Sequence, residues 1–167
     1  MGLQIWLPLN KDLHNQGIAK VTTSSSSSVI SNYCCACNNS NYPVFNYTIN
    51  QTTSFSLAFW IKIPTSITSY SQWQKFIYFA IRDNNAGTNT YINISWATYN
   101  QLKIYDSENF QLLWKNLPYD TWTHLVITNE TVNGIYYLKI YKNGELYDSA
   151  SKSGNGLSIR SGQLILG

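Results

Sequence analysis

The amino-acid sequence predicts an all-β protein, a two-sheet antiparallel β-sandwich, and three observations carry the prediction. In FSLAFWIKI (residues 55–63), Phe55, Leu57, Phe59, Ile61 and Ile63 share one face, while Ser56, Ala58, Trp60 and Lys62 share the other. This period-two alternation marks a strand with one side in a core. Residues 121–149, TWTHLVITNETVNGIYYLKIYKNGELYDS, hold three runs rich in β-branched and aromatic residues, at 122–128, 135–141 and 145–148. Lys142-Asn143-Gly144-Glu145 separates the last two, and an Asn-Gly between strand-like residues is a strong hairpin signal because both tolerate the positive φ of a type I′ turn. Finally, no segment of ten or more residues repeats its apolar positions with the helical period of about 3.6. About ten short strands punctuated by Gly, Pro and Asn build a sandwich.

Taken in order, LQIWLPL (3–9) places Leu3, Ile5, Leu7 and Leu9 on one face, and Pro8 restricts it to an edge strand or a strand end. Residues 10–28 read as loop, closing in the serine run 24–28, which has nothing to bury. A strand is expected over 29–37, then a polar connection over 38–53 and the alternating strand at 55–63. Residues 64–74 form an irregular loop. The apolar run 75–81 reads as a central strand, and RDNNAGT (82–88) as a turn. Over 91–96, Ile92, Ile94 and Trp96 point inward and Tyr91, Asn93 and Ser95 outward. Strands over 102–105 and 110–114 flank a turn at 106–109. Pro118-Tyr119-Asp120 turns the chain into the meander, where Asn129 to Gly134 breaks the first run from the second. Residues 154–162 read as loop, and 164–166 as a last short strand.

At 167 residues the chain reads as a single domain, 1–167, long enough to bury a core. No run approaches the roughly 18 apolar residues of a membrane helix, so no membrane partner is expected. Charged residues make up 11%, well under the roughly 25% of an average soluble domain, and the net charge of +3 is spread over scattered lysines. That pattern excludes the basic stripe of a nucleic-acid interface. The opening residues lack a basic n-region and an apolar h-region, so no Sec signal is predicted. Met1-Gly2 begins like a myristoylation site, but Trp6 stands where Ser or Thr is required. The expected route is synthesis in a cytoplasm and arrival at a virion or extracellular surface without a Sec signal.

Cys34, Cys35 and Cys37 fall in one strand-like segment, with Cys35 and Cys37 on one face and Cys34 on the other. His14 and His124 are far from them and lack zinc-ligand spacing, which leaves reduced, partly buried thiols. A Cys34-x-x-Cys37 redox pair is the sharper alternative, but no βαβ pattern surrounds it. The serines show no nucleophile elbow, and no glycine-rich loop cradles phosphate. Asn-x-Ser/Thr sequons occur at Asn38, Asn46, Asn50, Asn93 and Asn129, in a chain so rich in these residues that they carry little weight.

The ordered set of motifs resembles the laminin-G-like, concanavalin A-type jelly-roll domain. LPLNKDLHNQG resembles its opening, FSLAFWIKI its Phe-Ser-x-x-x-Trp-hydrophobic-Lys strand, and TWTHLVIT its Trp-x-His-hydrophobic strand. YLKIYKNGELYDS matches its Asn/Asp-Gly hairpin, and GQLILG its closing strand. The family normally adds one more strand after that closing Gly, whereas here Gly167 is the last residue. The resemblance therefore implies the N-terminal part of a longer chain, or a strand supplied by another molecule beside the edge at 3–9.

The resemblance implies binding or glycoside hydrolysis. Retaining hydrolases need two carboxylates about 5–5.5 Å apart. The Glu-x-Asp-x-x-Glu strand of the lichenase-type relatives is absent, and the nearest approach is Asp106-x-Glu108 in a turn-like segment. With eight acidic residues in all, the sequence predicts no enzyme. His124 matches a structural position of the family. Calcium, which family members hold at the sandwich rim, would find oxygens at Asp83, Asn84 and Asn85. A plain Asx turn explains the same residues, and no metal or other cofactor is assigned.

Aromatic residues are 15% of the chain, with 13 Tyr and six Trp. Tyr70, Trp73, Tyr91, Tyr99, Tyr105 and Tyr119 fall in loops or on outward faces and are the candidate ligand-binding residues, since rings stack on sugars and Tyr makes adaptable surfaces. The expected function is a non-catalytic, lectin-like module of a phage fibre or other virion appendage, with a glycan or host cell-surface polymer as partner. The alternative is a structural domain that docks to its own copies or to other virion proteins and binds no sugar.

Overall fold

Every regular element among the described residues of the computed structural model is a β-strand. The described residues are 20–23, 29–31, 34–36, 44–63, 75–82, 89–98, 101–107, 110–116 and 118–166. In chain order the strands are β1 (Lys20–Thr23), β2 (Val29–Ser31), β3 (Cys34–Ala36), β4 (Val44–Thr52), β5 (Phe55–Ile61), β6 (Lys75–Arg82) and β7 (Asn89–Thr98). They continue with β8 (Gln101–Asp106), β9 (Gln111–Lys115), β10 (Thr123–Val132), β11 (Ile135–Lys142), β12 (Glu145–Ser153) and β13 (Ile159–Leu166). The chain divides into two compact units. One comprises Met1–Gln51, Phe76–Tyr91 and Ile159–Gly167, and the other Thr52–Lys75 and Ile92–Ser158.

In the first unit the strands neighbour one another in the order β1-β4-β13-β6, with β2 and β3 forming a separate antiparallel pair. Lys20 lies opposite Thr48 and Thr23 opposite Phe45, while Gly162 lies opposite Ile81 and Leu166 opposite Ile77. Gln163 Nε2 donates to Asn46 Oδ1 across 2.9 Å. Four expectations change here. The single strand expected over 29–37 is two short strands, Ile30 facing Cys35 and Ser31 facing Cys34. Part of the loop at 10–28 is β1, the polar connection contains β4, and the loop at 154–162 gives way to β13. The Asn- and Thr-rich sequence VFNYTINQT still alternates Tyr, Ile and Phe with polar residues, enough to sustain a strand. The expected strand at 3–9, the loop at 64–74, His14, Cys37 and Asp83 to Asn85 lie outside the described residues.

The second unit is a sandwich of two antiparallel sheets, β12-β11-β10-β5 and β7-β8-β9. Their inner rows follow from alternation. Leu125, Ile127, Leu138 and Ile140 on one sheet, and Ile92, Ile94, Leu102, Ile104, Leu112 and Trp114 on the other, are all buried. Fully burying an aliphatic side chain of this kind stabilises by about 1.5–3 kcal/mol, so these rows dominate the energetics. The Asn-Gly signal is met: Asn143 and Gly144 have φ of 51° and 90°, the two positive values of a type I′ turn. The preceding hairpin differs from expectation. β10 does not break at Asn129 but runs on to Val132, and its turn is a second Asn-Gly, Asn133-Gly134, with φ of 51° and 74°. Asn129 is tolerated inside the strand because its Nδ2 donates to the Thr53 carbonyl at 3.0 Å and the Leu157 carbonyl at 3.3 Å.

Asn93 and Ser95, expected outward, are 2% and 3% exposed, so β7 is buried on both sides there. The open edge of β9 is closed by the opposing sheet. Asp148 lies opposite Ile140 and Leu146 opposite Tyr141, leaving Tyr147 as the extra residue of a bulge. The Tyr147 hydroxyl accepts from the Lys115 N–H (3.2 Å) and donates to the Lys115 carbonyl (3.3 Å), while Asp148 Oδ2 accepts from the Leu113 N–H (3.4 Å). Satisfying those groups removes a template for unwanted strand pairing.

At the far end of the core, Asp106 is buried. Its Oδ1 accepts from the Phe110 N–H at 3.0 Å and its Oδ2 from the Tyr136 hydroxyl. The Tyr136 ring meets Phe110 edge-on at 5.0 Å. The loop after β12 is tied down beside it by Gly154 N–H to the Gly134 carbonyl (2.9 Å) and by the Thr131 hydroxyl to the Asn155 carbonyl (2.7 Å).

Candidate functional site

The outer face of β12-β11-β10-β5 follows from the same alternation that builds the core. Because Thr123, Leu125 and Ile127 are buried, His124, Val126, Thr128 and Glu130 must face out. The register pairs His124 with Trp60, Val126 with Ala58, and Thr128 with Ser56. Across the sheet, Val126 pairs with Tyr141 and Tyr141 with Leu146.

One end of this face is aromatic. Trp60 is 62% exposed and its ring lies 5.1 Å from that of His124, tilted by 36°. Trp122, 49% exposed, immediately precedes β10 and continues the alternation of His124. Large rings on the solvent side of a sheet cost hydration, so a cluster of them is a candidate binding surface. The hairpin turn fixes the position of His124: its N–H donates to Asn143 Oδ1 (3.0 Å), and its carbonyl accepts from the Asn143 N–H (2.8 Å). The platform thus stands on paired strands and a rigid turn, which limits the ordering entropy a ligand would have to offset.

The other end of the face is polar. Lys139 forms an ion pair with Glu130, and its Nζ lies 5.1 Å from the centre of the Tyr137 ring. The hydrogen bond that Lys139 donates to Glu130 raises the Lys139 pKa above its usual value, aided by the charge of the same carboxylate and opposed by partial burial.

Of the residues singled out from sequence, Tyr70, Trp73 and Tyr99 lie outside the described residues. Tyr91, Tyr105 and Tyr119 are half-buried, and each is engaged by other groups. Tyr105 is on the outer side of β8 with Lys103 Nζ 4.8 Å from its ring centre, whereas Tyr119 sits in the turn before β10, its carbonyl accepting from the Thr121 hydroxyl (3.2 Å). The sequence puts Trp60 on the non-core face of its strand but not among the candidate ligand contacts, and the family resemblance makes His124 structural. The signal was present, because a tryptophan on the polar side of a strict alternation is an exception.

Asp106, half of the only carboxylate pair considered for hydrolysis, is buried and holds Tyr136 and Phe110. Glu108 lies outside the described residues. Among the described residues no three His, Cys, Asp or Glu side chains gather as a metal site. Asn93 and Asn129, both sequon positions, are buried.

Comparison with known folds gives consistent matches. The chain is similar to a mutant of HCR/D (17% identity, TM-score 0.56, 98% of this chain and 41% of that one). It is also similar to the receptor-binding domain of botulinum neurotoxin mosaic serotype C/D (18%, 0.53, 98% and 41%). A third match is the binding domain of botulinum neurotoxin serotype D (18%, 0.53, 99% and 42%). The chain spans about two fifths of the length of these structures, and at such identities the likeness is one of fold. A search of the curated proteins finds no match. The family model Laminin_G_3, described as the concanavalin A-like lectin/glucanases superfamily, matches residues 38–167, which takes in the alternating strand, the meander and the closing strand. The chain belongs to that laminin-G, concanavalin A-like family.

Proposed function

We propose that this chain is a non-catalytic module that binds carbohydrate or a similar cell-surface polymer. The observation that carries the reading is the exposed platform of Trp60, His124 and Trp122 on the outer face of β5 and β10. An aromatic ring offers a flat apolar surface to the C–H face of a sugar, and here the strand that carries Trp60 is already ordered by its pairing with β10. Membership of a family named for lectins, and the receptor-binding proteins among the structures of similar fold, support the same reading. The setting proposed is a virion appendage such as a phage fibre, consistent with the low charge and the Asn-, Tyr- and Ser-rich composition.

A glycan array tests the reading. Wild type should retain specific glycans, and Trp60→Ala with Trp122→Ala should lose them, by about 2 kcal/mol for a central tryptophan, or roughly 30-fold. A Trp73→Ala/Tyr99→Ala variant should change binding less than the platform variant. No glycan retained at high protein density would overturn the carbohydrate reading and leave the same face to a protein partner. Purified particles that lack the protein by mass spectrometry would sink the virion setting.

A further inference from the structure

Charge on the outer face is one-sided at its aromatic end. Lys62 continues the alternation of Ser56, Ala58 and Trp60, and the pairing of Ile61 with Thr123 sets it beside Trp122. Lys62 is exposed and has no hydrogen-bond or ion-pair partner among the described residues. His124 is the other basic side chain there. The only described carboxylate on this face is Glu130, six residues along β10 from His124, or about 20 Å at strand rise, and it is already paired with Lys139. Asp120 and Glu145 are the described carboxylates of the turns at that end. Asp120 belongs to the turn before β10, where its N–H is bonded to the Ile63 carbonyl (2.8 Å), and Glu145 pairs with Lys142, on the opposite alternation to Leu146. A ligand seated on Trp60 and Trp122 therefore meets Lys62 and His124, and no outward strand position among the described residues carries a carboxylate nearer than Glu130.

We infer that the platform selects acidic saccharides: a ring stacks its apolar face on Trp60 or Trp122 while its carboxylate or sulfate meets Lys62. This deepens the carbohydrate reading above and rests on it. Lysine serves an anion as a compact point charge on a flexible stem, so it accommodates either group. At an exposed site such a pair strengthens binding about two- to fivefold. Salt screens it, because the Debye length falls from about 10 Å at 0.1 M to about 3 Å at 1 M.

The test is direct titration of the full chain with size-matched neutral, uronate-containing and sulfated oligosaccharides at low and high salt. The expected result is a two- to fivefold preference for one or both acidic arms at low salt, shrinking at high salt, with the two arms telling carboxylate from sulfate. In Lys62→Gln the ratio of acidic to neutral affinity should fall to about one, and in Trp60→Ala all affinities should drop together. Neutral sugars bound as tightly as acidic ones, or a preference untouched by salt or by Lys62→Gln, would overturn the inference and leave the carbohydrate reading standing. Binding to none of the three arms would remove both.

Discussion

Gly156 gives the sharpest test of how the second unit is packed. Its φ is +60°, and a Cβ placed there would lie 2.3 Å from Cδ2, 2.6 Å from Cγ and 2.9 Å from Cε2 of Tyr136. The ring cannot swing away cheaply, because its hydroxyl is bonded to buried Asp106 and the ring packs edge-on against Phe110. Gly156→Ala therefore suffers two separate penalties. The left-handed backbone costs about 1–2 kcal/mol for an L side chain, and overpacking a closed core about 1–3 kcal/mol more. Gly134→Ala isolates the first penalty, since its φ is +74° with nothing within 4 Å of the added Cβ. Urea unfolding of both variants against wild type should show about 1–2 kcal/mol lost at Gly134 and about 2–5 kcal/mol at Gly156. In a Tyr136→Leu background the excess at Gly156 should shrink. Equal losses at the two glycines would refute the claim that Tyr136 is locked against the 154–158 loop.

Three further outcomes follow from the outer face. Asn143→Gly keeps the positive φ but loses the acceptor for the His124 N–H, and should cost about 1 kcal/mol by thermal unfolding, whereas Asn143→Ala adds the left-handed penalty and should cost about 2–3 kcal/mol. Trp60→Ala should leave stability within about 0.5 kcal/mol while weakening ligand binding, since the ring is mostly exposed; a large drop in stability would make it scaffold instead. The raised pKa of Lys139 means that its ion pair contributes fully below the ordinary lysine value of 10.5 and fades as pH climbs through the higher folded-state value. Lys139→Met should therefore be less stable than wild type by a constant increment of at most about 1 kcal/mol across neutral pH, converging with it only in strong alkali. An increment that instead vanished near neutrality would contradict the assignment.

The fold was largely legible because strand alternation and Asn-Gly turns are local signals. FSLAFWI and the turn at Asn143-Gly144 needed no knowledge of distant residues to be read. Asn129 was misread as a break because its acceptability in β10 depends on carbonyls at Thr53 and Leu157, which no local window contains. Asn93 and Ser95 were misread for the related reason that alternation names two faces but not what covers each. The candidate site was only half legible. Trp60 stood on the correct face in the sequence, yet its pairing with His124 requires the β5–β10 register, which is a long-range fact.

That register also explains why core and platform cannot vary independently. Since side chains alternate with period two, the slots that send Thr123, Leu125 and Ile127 into the core send Trp122, His124 and Val126 to the outside. A slip of one residue between β5 and β10 would set Trp60 beside Thr123 or Leu125 and drive apolar side chains into solvent, so the free energy of the core also defends the neighbouring pair of rings. The buried row along β10 holds that register, and the Asn143 bonds to both backbone groups of His124 tie β10 to the hairpin turn on its other side. A ligand on Trp60 and His124 consequently meets a surface whose geometry is stabilised by the whole sheet, and variation confined to outward positions such as Lys62 can retune what is bound without unsettling the fold.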